Sequence, residues 1–149
     1  MKKTVIFYYS KHHGNTKKVV EAMKKQGEVT LVELPLKKMV SLEQYDLIGF
    51  ASGIYMGKFH DSIKKLIKEM EKQLQGKETF LIYTSGSKSK KAEEEIKEEL
   101  KAAGSKVQGA FRCKGYDTYG IFKMIGGLNR NHPNEKDLNN AEEFIKELF

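Results

Sequence analysis

Three short stretches hold most of the side chains that could do chemistry. The first, Ser10-Lys11-His12-His13-Gly14-Asn15-Thr16, is polar and contains no aliphatic residue. Its hydroxyls, amide and backbone N–H groups are donors, and Gly14 lets the backbone approach a ligand closely. That is the chemistry of anion binding. The second, Ser52-Gly53-Ile54-Tyr55-Met56-Gly57-Lys58, sets apolar and aromatic faces between glycines. The third, Thr84-Ser85-Gly86-Ser87-Lys88-Ser89, is again rich in hydroxyls. No stretch assembles a metal site, because the four histidines are scattered and Cys113 is the single cysteine. No residue stands out as a catalytic nucleophile or base.

Each stretch follows a segment that reads as a buried strand. Thr4-Val5-Ile6-Phe7-Tyr8-Tyr9 is β-branched and aromatic. Beyond the first stretch, Thr16, Val19, Val20 and Met23 fall at the spacing of one helix face. A strand passing through a polar turn into a helix directs the positive end of the helix dipole, with its unbonded N–H groups, at the strand's carboxyl end. Glu28–Leu34 alternates more loosely and suits an edge strand, and Ser41–Gln44 has room for a short helix. Asp46–Ala51 is nearly all apolar and reads as central. Phe59, Ile63, Leu66, Ile67, Met70 and Leu74 trace a second helical stripe, and Thr79–Tyr83 is a fourth strand. Ala92, Ile96, Leu100 and Ala103 mark a third helix, and Lys106–Cys113 is the fifth strand. Asn134 with Asp137 resembles the capping box of a last helix. The segment Lys114–Pro133 shows no clear element, yet holds Tyr116, Tyr119, Ile121, Phe122, Met124, Ile125 and Leu128. So many apolar groups there must pack down or form a contact surface.

The first strand, its serine, and Gly14-Asn15-Thr16 at the mouth of the first helix resemble the FMN-phosphate loop of flavodoxins. Gly14, Asn15 and Thr16 match directly, and Ser10 matches with a one-residue shift. The sequence departs from the family where Lys11, His12 and His13 replace small hydroxyl residues. The stretch Ser52–His60, SGIYMGKFH, is similar to the flavodoxin loop that cradles the isoalloxazine. It is nearest to the variant in menaquinone-linked protoporphyrinogen oxidases. The resemblance implies one flavodoxin-like domain over residues 1–149. This is an α/β, doubly wound, five-stranded parallel sheet of order 2-1-3-4-5 with helices on both faces, its loops meeting at the switch point. It implies FMN as cofactor. Ser10, His12, His13, Gly14, Asn15 and Thr16 lie about the phosphate, and Ser52, Gly53, Ile54, Tyr55, Met56, Gly57 and Lys58 about the ring. Thr84, Ser85, Gly86 and Ser87 lie at the pyrimidine end. By the same resemblance the Met56–Gly57 peptide turns its carbonyl toward flavin N5. The implied function is electron carriage between redox partners through non-covalent FMN. Two alternatives stay open: an FMN-dependent oxidoreductase acting on a quinone or other small acceptor, and a cofactor-free binding module of the same fold.

Composition narrows the field further. A chain of 149 residues can bury roughly two-thirds of its unfolded surface in one domain without disulfides. The lone cysteine suits a reducing cytoplasm, and no apolar run approaches the length of a membrane span. The formal charge of +7 departs from the acidic flavodoxins. It does not read as a nucleic-acid surface, because there are two arginines and the lysines are interleaved with acids. The expected partner is a redox protein or a small electron donor or acceptor. A response-regulator receiver needs acids after strand one and an aspartate ending strand three, where Ser10-Lys11 and Ser52-Gly53 stand. GxxxxGK[ST] and a cysteine after strand one are also absent, which excludes P-loop hydrolases and low-molecular-weight phosphatases. His60 reads as a capping or surface residue, and Cys113 as a packed small hydrophobe.

Overall fold

The computed structural model describes residues 2–11, 14–115 and 131–149. His12, His13 and most of the Lys114–Pro133 segment lie outside the described residues. Strand β1 (Thr4–Tyr9) leads to α1 (Asn15–Lys24), β2 (Val29–Glu33), β3 (Leu47–Tyr55) and β4 (Lys58–Phe59). Then come α2 (Asp61–Glu69), α3 (Glu71–Leu74), β5 (Glu78–Thr84), α4 (Lys91–Ala102), β6 (Lys106–Cys113) and α5 (Glu135–Leu148). The parallel sheet runs β2-β1-β3-β5-β6, which is the expected order 2-1-3-4-5 with β4 added as an antiparallel partner of β3.

Strand alternation divides the core into two layers. Val5 and Phe7 of β1, with Ile48, Phe50, Leu81 and Tyr83, face α2 and α4 through Ile63, Leu66, Ile96 and Leu100. Ile6 and Tyr8, with Ala51, Phe80, Ile82 and Phe111, face α1 and α5 through Val19, Val20, Met23, Ala141 and Ile145. Central strands covered on both faces must be apolar throughout, which is why β1 and the first half of β3 read as continuous runs. Between the layers, Gly49 of β3 lies opposite Phe80 of β5. A Cβ on Gly49 would come within 2.5 Å of the Phe80 ring.

Four elements differ from the sequence expectation. Residues 41–44 form no helix; Leu42 is buried there, and its N–H donates to Gln73 Oε1 at 2.8 Å. The stripe from Phe59 to Leu74 is not one helix. Phe59 belongs to β4, and the helix breaks at Met70 (φ −98°, ψ 5°) into α2 and α3. β3 continues to Tyr55, so most of the second polar stretch is strand and hairpin rather than loop. The short strand β4 makes the sheet six-stranded, where five were expected. The capping box of α5 is present as read: Asn134 Oδ1 accepts from Asp137 N–H (2.9 Å), and Asp137 Oδ2 accepts from Asn134 N–H (2.8 Å).

Candidate functional site

The strand register brings the three stretches to one edge. Tyr9 pairs with Ser52, Gly53 with Thr84, and Thr84 with Cys113, so β1, β3, β5 and β6 end together. Helices α1, α2, α4 and α5 all start at this edge and point their positive dipole ends at it.

At the mouth of α1, Gly14 adopts the left-handed conformation (φ 65°, ψ 22°). Ser10 Oγ accepts from the Lys17 N–H at 3.1 Å, satisfying one orphan donor of the first turn. That bond orients the hydroxyl as an acceptor, and its own hydrogen stays available to an anion. The first turn of α1 holds no acid that would compete. Thr16 is nearly fully buried, with its hydroxyl 3.3 Å from that of Thr84. Its side chain thus ties α1 to β5, and the backbone of the turn is left to meet a ligand. Asn15 is also buried, and its amide lies so close to Gly115 that a Cβ there would come within 2.6 Å of Nδ2.

The second stretch is a hairpin. Ile54 pairs with Phe59 and Tyr55 with Lys58, leaving Met56-Gly57 as a two-residue turn. Both residues have positive φ, 53° and 78°. Such turns are the I′ type that matches strand twist, and they favour Asn-Gly because other L-residues are strained there. Met56 accepts that strain with its side chain 79% exposed. A Cβ on Gly57 would meet nothing within 4 Å, so conformation and not space is what calls for glycine. The hairpin is pinned from below by Ser52, whose buried hydroxyl donates to the Gly53 carbonyl (2.6 Å) and accepts from His60 N–H (3.1 Å).

Two residues of the site lie outside the ligand set expected from the sequence. The Tyr9 ring stacks on His60 with centroids 3.5 Å apart and planes 9° apart, and Tyr55 meets both rings edge-on. Lys11 Nζ lies 5.9 Å from the centre of the Tyr9 ring. His60 is the N-cap of α2, its Nδ1 accepting from Ser62 N–H at 3.1 Å, as the capping reading expected. Burial lowers the His60 pKa and Lys11 lowers it further, while Asp61 opposes them. Burial thus favours its neutral form. The signal for this cluster was positional: Tyr9 is the last residue of β1, and His60 stands two before Ser62 at a helix start.

In the third stretch, Ser85 N–H donates to the Cys113 carbonyl at 3.0 Å. The hydroxyls of Ser85, Ser87 and Ser89 each accept from the N–H two residues on, at 3.1, 3.4 and 3.3 Å. This staircase of turns carries the chain to α4 and leaves the hydroxyl hydrogens unassigned. Arg112 of β6 holds the Ser87 carbonyl through Nη2. Beneath the loop, Tyr83 O–H donates to Glu93 Oε1 (2.7 Å), and Lys97 pairs with Glu93 Oε2 (2.6 Å). Burial pushes the Glu93 carboxyl up, but the bonds from Lys97 and Tyr83 outweigh it and hold the group below its ordinary value. Cys113 is buried, and burial, with Asp137, pushes its thiol up to about 12 against the pull of Arg112. It is an inert packing residue, as expected.

The structure thus brings Ser10, Gly14, Asn15, Thr16, Ser52–Lys58 and Thr84–Ser87 to one edge. Among the described residues no cluster of His, Cys, Asp and Glu could hold a metal, and no helix is long and apolar enough to cross a membrane.

Comparison with known proteins supplies a context. A family model described as a flavodoxin domain matches residues 5–137. An uncharacterized protein of Methanocaldococcus jannaschii is 42% identical over 149 residues, 99% of this chain and 98% of that one. A solved flavodoxin from the domain Archaea superposes with a TM-score of 0.71 at 19% identity, covering 97% of this chain and 95% of its own. A flavoprotein from Lactobacillus acidophilus, solved in complex with FMN, gives a TM-score of 0.65 at 24% identity, covering 75% of this chain and 93% of its own.

Proposed function

The chain belongs to the flavodoxin family, and on that premise we propose that residues 1–149 act as one FMN-binding domain carrying electrons between redox partners. The observation that carries the reading is the convergence on one edge of an anion-type helix mouth, a strained I′ hairpin and a hydroxyl-rich loop. The donor set fits FMN. Ser10 Oγ and the backbone of Gly14-Asn15-Thr16, together with His12 and His13 of the same stretch of sequence, would hold the phosphate, and Ile54, Tyr55 and Met56 would face the ring. Ser52 and Gly53 support that hairpin, and Lys58 stands at its far side. Thr84, Ser85, Gly86 and Ser87 would serve the polar end of the ring. FMN supplies reversible uptake of one or two electrons, and the chain supplies binding, orientation and electrostatics.

Within the chain, the backbone freedom of Gly57, whose Cβ position is open space, would let the Met56–Gly57 peptide turn over. The Tyr9–His60 stack and the Ser52 hydroxyl hold the base of the hairpin while its tip moves. The single cysteine and the lack of a membrane-spanning helix among the described residues suit work in the cytoplasm. The expected partners are a redox protein or a small donor or acceptor, and not nucleic acid. Purified protein should be yellow, release FMN on denaturation, and take FMN in preference to FAD. Colourless protein that fails to take up added FMN would overturn the cofactor. Multiple turnovers with a quinone would move the reading from carrier to oxidoreductase.

A further inference from the structure

The loops that follow β1, β5 and β6 hold, among the described residues, Lys11, Lys88, Lys90 and Lys114 and no carboxylate, and Lys58 of β4 lies at the same edge. All five lysines are exposed. The ion pairs among the described residues use Lys2, Lys64, Lys97, His132 and Lys146, and none of these five. Positive charge is also stacked on positive dipole ends. Lys90 is the N-cap of α4 and Lys91 its first residue, while Lys17 and Lys18 lie in the first turns of α1. A helix start ordinarily favours the opposite sign. The first turns of α2, α4 and α5 also carry Asp61, Glu93, Glu94, Glu135 and Asp137, whereas α1 has no acid there, and the exposed lysines outnumber these acids. Met56 projects from the same edge and is, with Met39, one of two exposed large apolar residues among those described.

We propose that this edge is the docking surface for a protein partner with a carboxylate-rich face, Met56 giving the apolar contact and the five lysines the cationic surround. The inference rests on the electron-carrier reading above. An apolar contact within a charged surround is the ordinary anatomy of a transient interface. Lysine suits such a surface because it is a hydrated point charge that steers encounter without the bidentate grip of arginine, so the complex forms fast and parts fast. A lipid surface is disfavoured, because two isolated methionines make no insertable apolar face. Nucleic acid is disfavoured as well. Arg112 is engaged with Ser87, and the rings at this edge, Tyr9 and Tyr55, are half-buried and packed with His60.

The test mixes FMN-loaded, pre-reduced protein in stopped flow with two haem acceptors, a carboxylate-faced cytochrome b5 and a lysine-faced cytochrome c. One electron passes from the reduced flavin to each ferric haem. FMN content is read by absorbance first, so failure to bind flavin registers as failure of the cofactor reading alone. Transfer to cytochrome b5 should slow roughly tenfold as salt rises from about 10 mM to 500 mM, and transfer to cytochrome c should hold steady or quicken. The triple variant Lys88→Gln, Lys90→Gln, Lys114→Gln should keep its FMN and lose at least about threefold of the low-salt cytochrome b5 rate. The triple variant Lys25→Gln, Lys101→Gln, Lys106→Gln has the same net charge but changes the opposite edge, and should match the unaltered protein. Equal slowing in both triples, or a preference for cytochrome c, would overturn the proposal. So would binding to phosphatidylserine vesicles or a DNA duplex that the first triple abolishes while the cytochrome b5 rate stands.

Discussion

At the amino edge of the sheet, polar groups are closed upon one another. Lys2 pairs with Glu78 at 2.6 Å, the Lys3 N–H donates to Asp46, and Lys77 Nζ donates to the Tyr45 carbonyl at 2.8 Å. Buried Ser105 joins three elements, bonding the Thr79 hydroxyl (3.1 Å) and donating to the Leu100 carbonyl (2.9 Å). The carboxyl edge of the same strands is the reverse. Its hydroxyls accept from nearby backbone N–H groups, its hairpin tip holds a strained residue outward, and Lys11, Lys58, Lys88, Lys90 and Lys114 form no ion pair among the described residues. Both ends face the same demands of chain reversal, so the fold cannot be the cause of the difference. One end is arranged to hold itself together and the other to hold something else.

The contrast can be broken at either end. Ser10→Ala at the carboxyl edge removes a donor predisposed toward an anion. Hydrogen bonds to charged groups contribute about 1.5–3 kcal/mol, so FMN affinity in a fluorescence titration should fall at least about tenfold, with a modest drop in melting temperature because the Lys17 N–H loses its acceptor. Thr16→Ala should cost FMN less, because that hydroxyl is turned toward Thr84. A larger loss in Thr16→Ala would reverse the assignment of the phosphate donor. At the amino edge, Ser105→Ala strands the buried Thr79 hydroxyl, while the Leu100 carbonyl keeps the N–H of residue 105. Chemical denaturation should show about 1–3 kcal/mol less stability, with FMN content intact. Loss of FMN in that variant would erase the division between the edges.

Two smaller effects sharpen it. Gly57→Val places a β-branched residue at φ 78°, a conformation that costs an L-residue about 1–2 kcal/mol. The melting temperature should drop modestly, and the reduction potential of bound FMN should shift as the peptide loses its freedom to turn. An unchanged potential would separate the hairpin tip from the flavin. The smallest effect concerns His60, whose folded pKa lies below its ordinary value of 6.5. A histidine held neutral by the fold contributes stability above the unfolded pKa. That contribution is lost as pH falls through the folded pKa. The melting temperature should therefore decline below about pH 6.5. His60→Asn keeps a capping acceptor without a titration and should flatten that decline. An equally steep profile in the variant would assign the acid sensitivity elsewhere.

Much of the fold was legible because it follows from burial. The covered strand Thr4–Tyr9 and the edge strand Lys106–Cys113 have the observed bounds; alternation with helices implied a parallel sheet, and its order came from the family resemblance. The hairpin was not legible, because Ser52–Lys58 carries glycines that mark a turn and gives no sign that Ser52 would anchor pairing beyond it. Met70 could not be read as a helix break, since it continues the apolar stripe that packs against the core. At the site, residue types identified the edge, but the direction of each hydroxyl depends on neighbours distant in sequence. Thr16 faces Thr84 only because β5 lies beside the start of α1. The Tyr9–His60 stack likewise joins residues that share no motif.

The contact between Gly49 and Phe80 bears on how this sequence can drift. The Phe80 ring fills the space a side chain at position 49 would need, and its other side packs toward Phe144 of α5 at 6.1 Å between ring centroids. Neither position can therefore change by itself: a methyl at 49 has nowhere to go, and a smaller residue at 80 leaves a void under α5. Homologous chains should thus divide into those keeping glycine with a bulky aromatic and those holding alanine or serine opposite a shorter side chain, with few intermediates between.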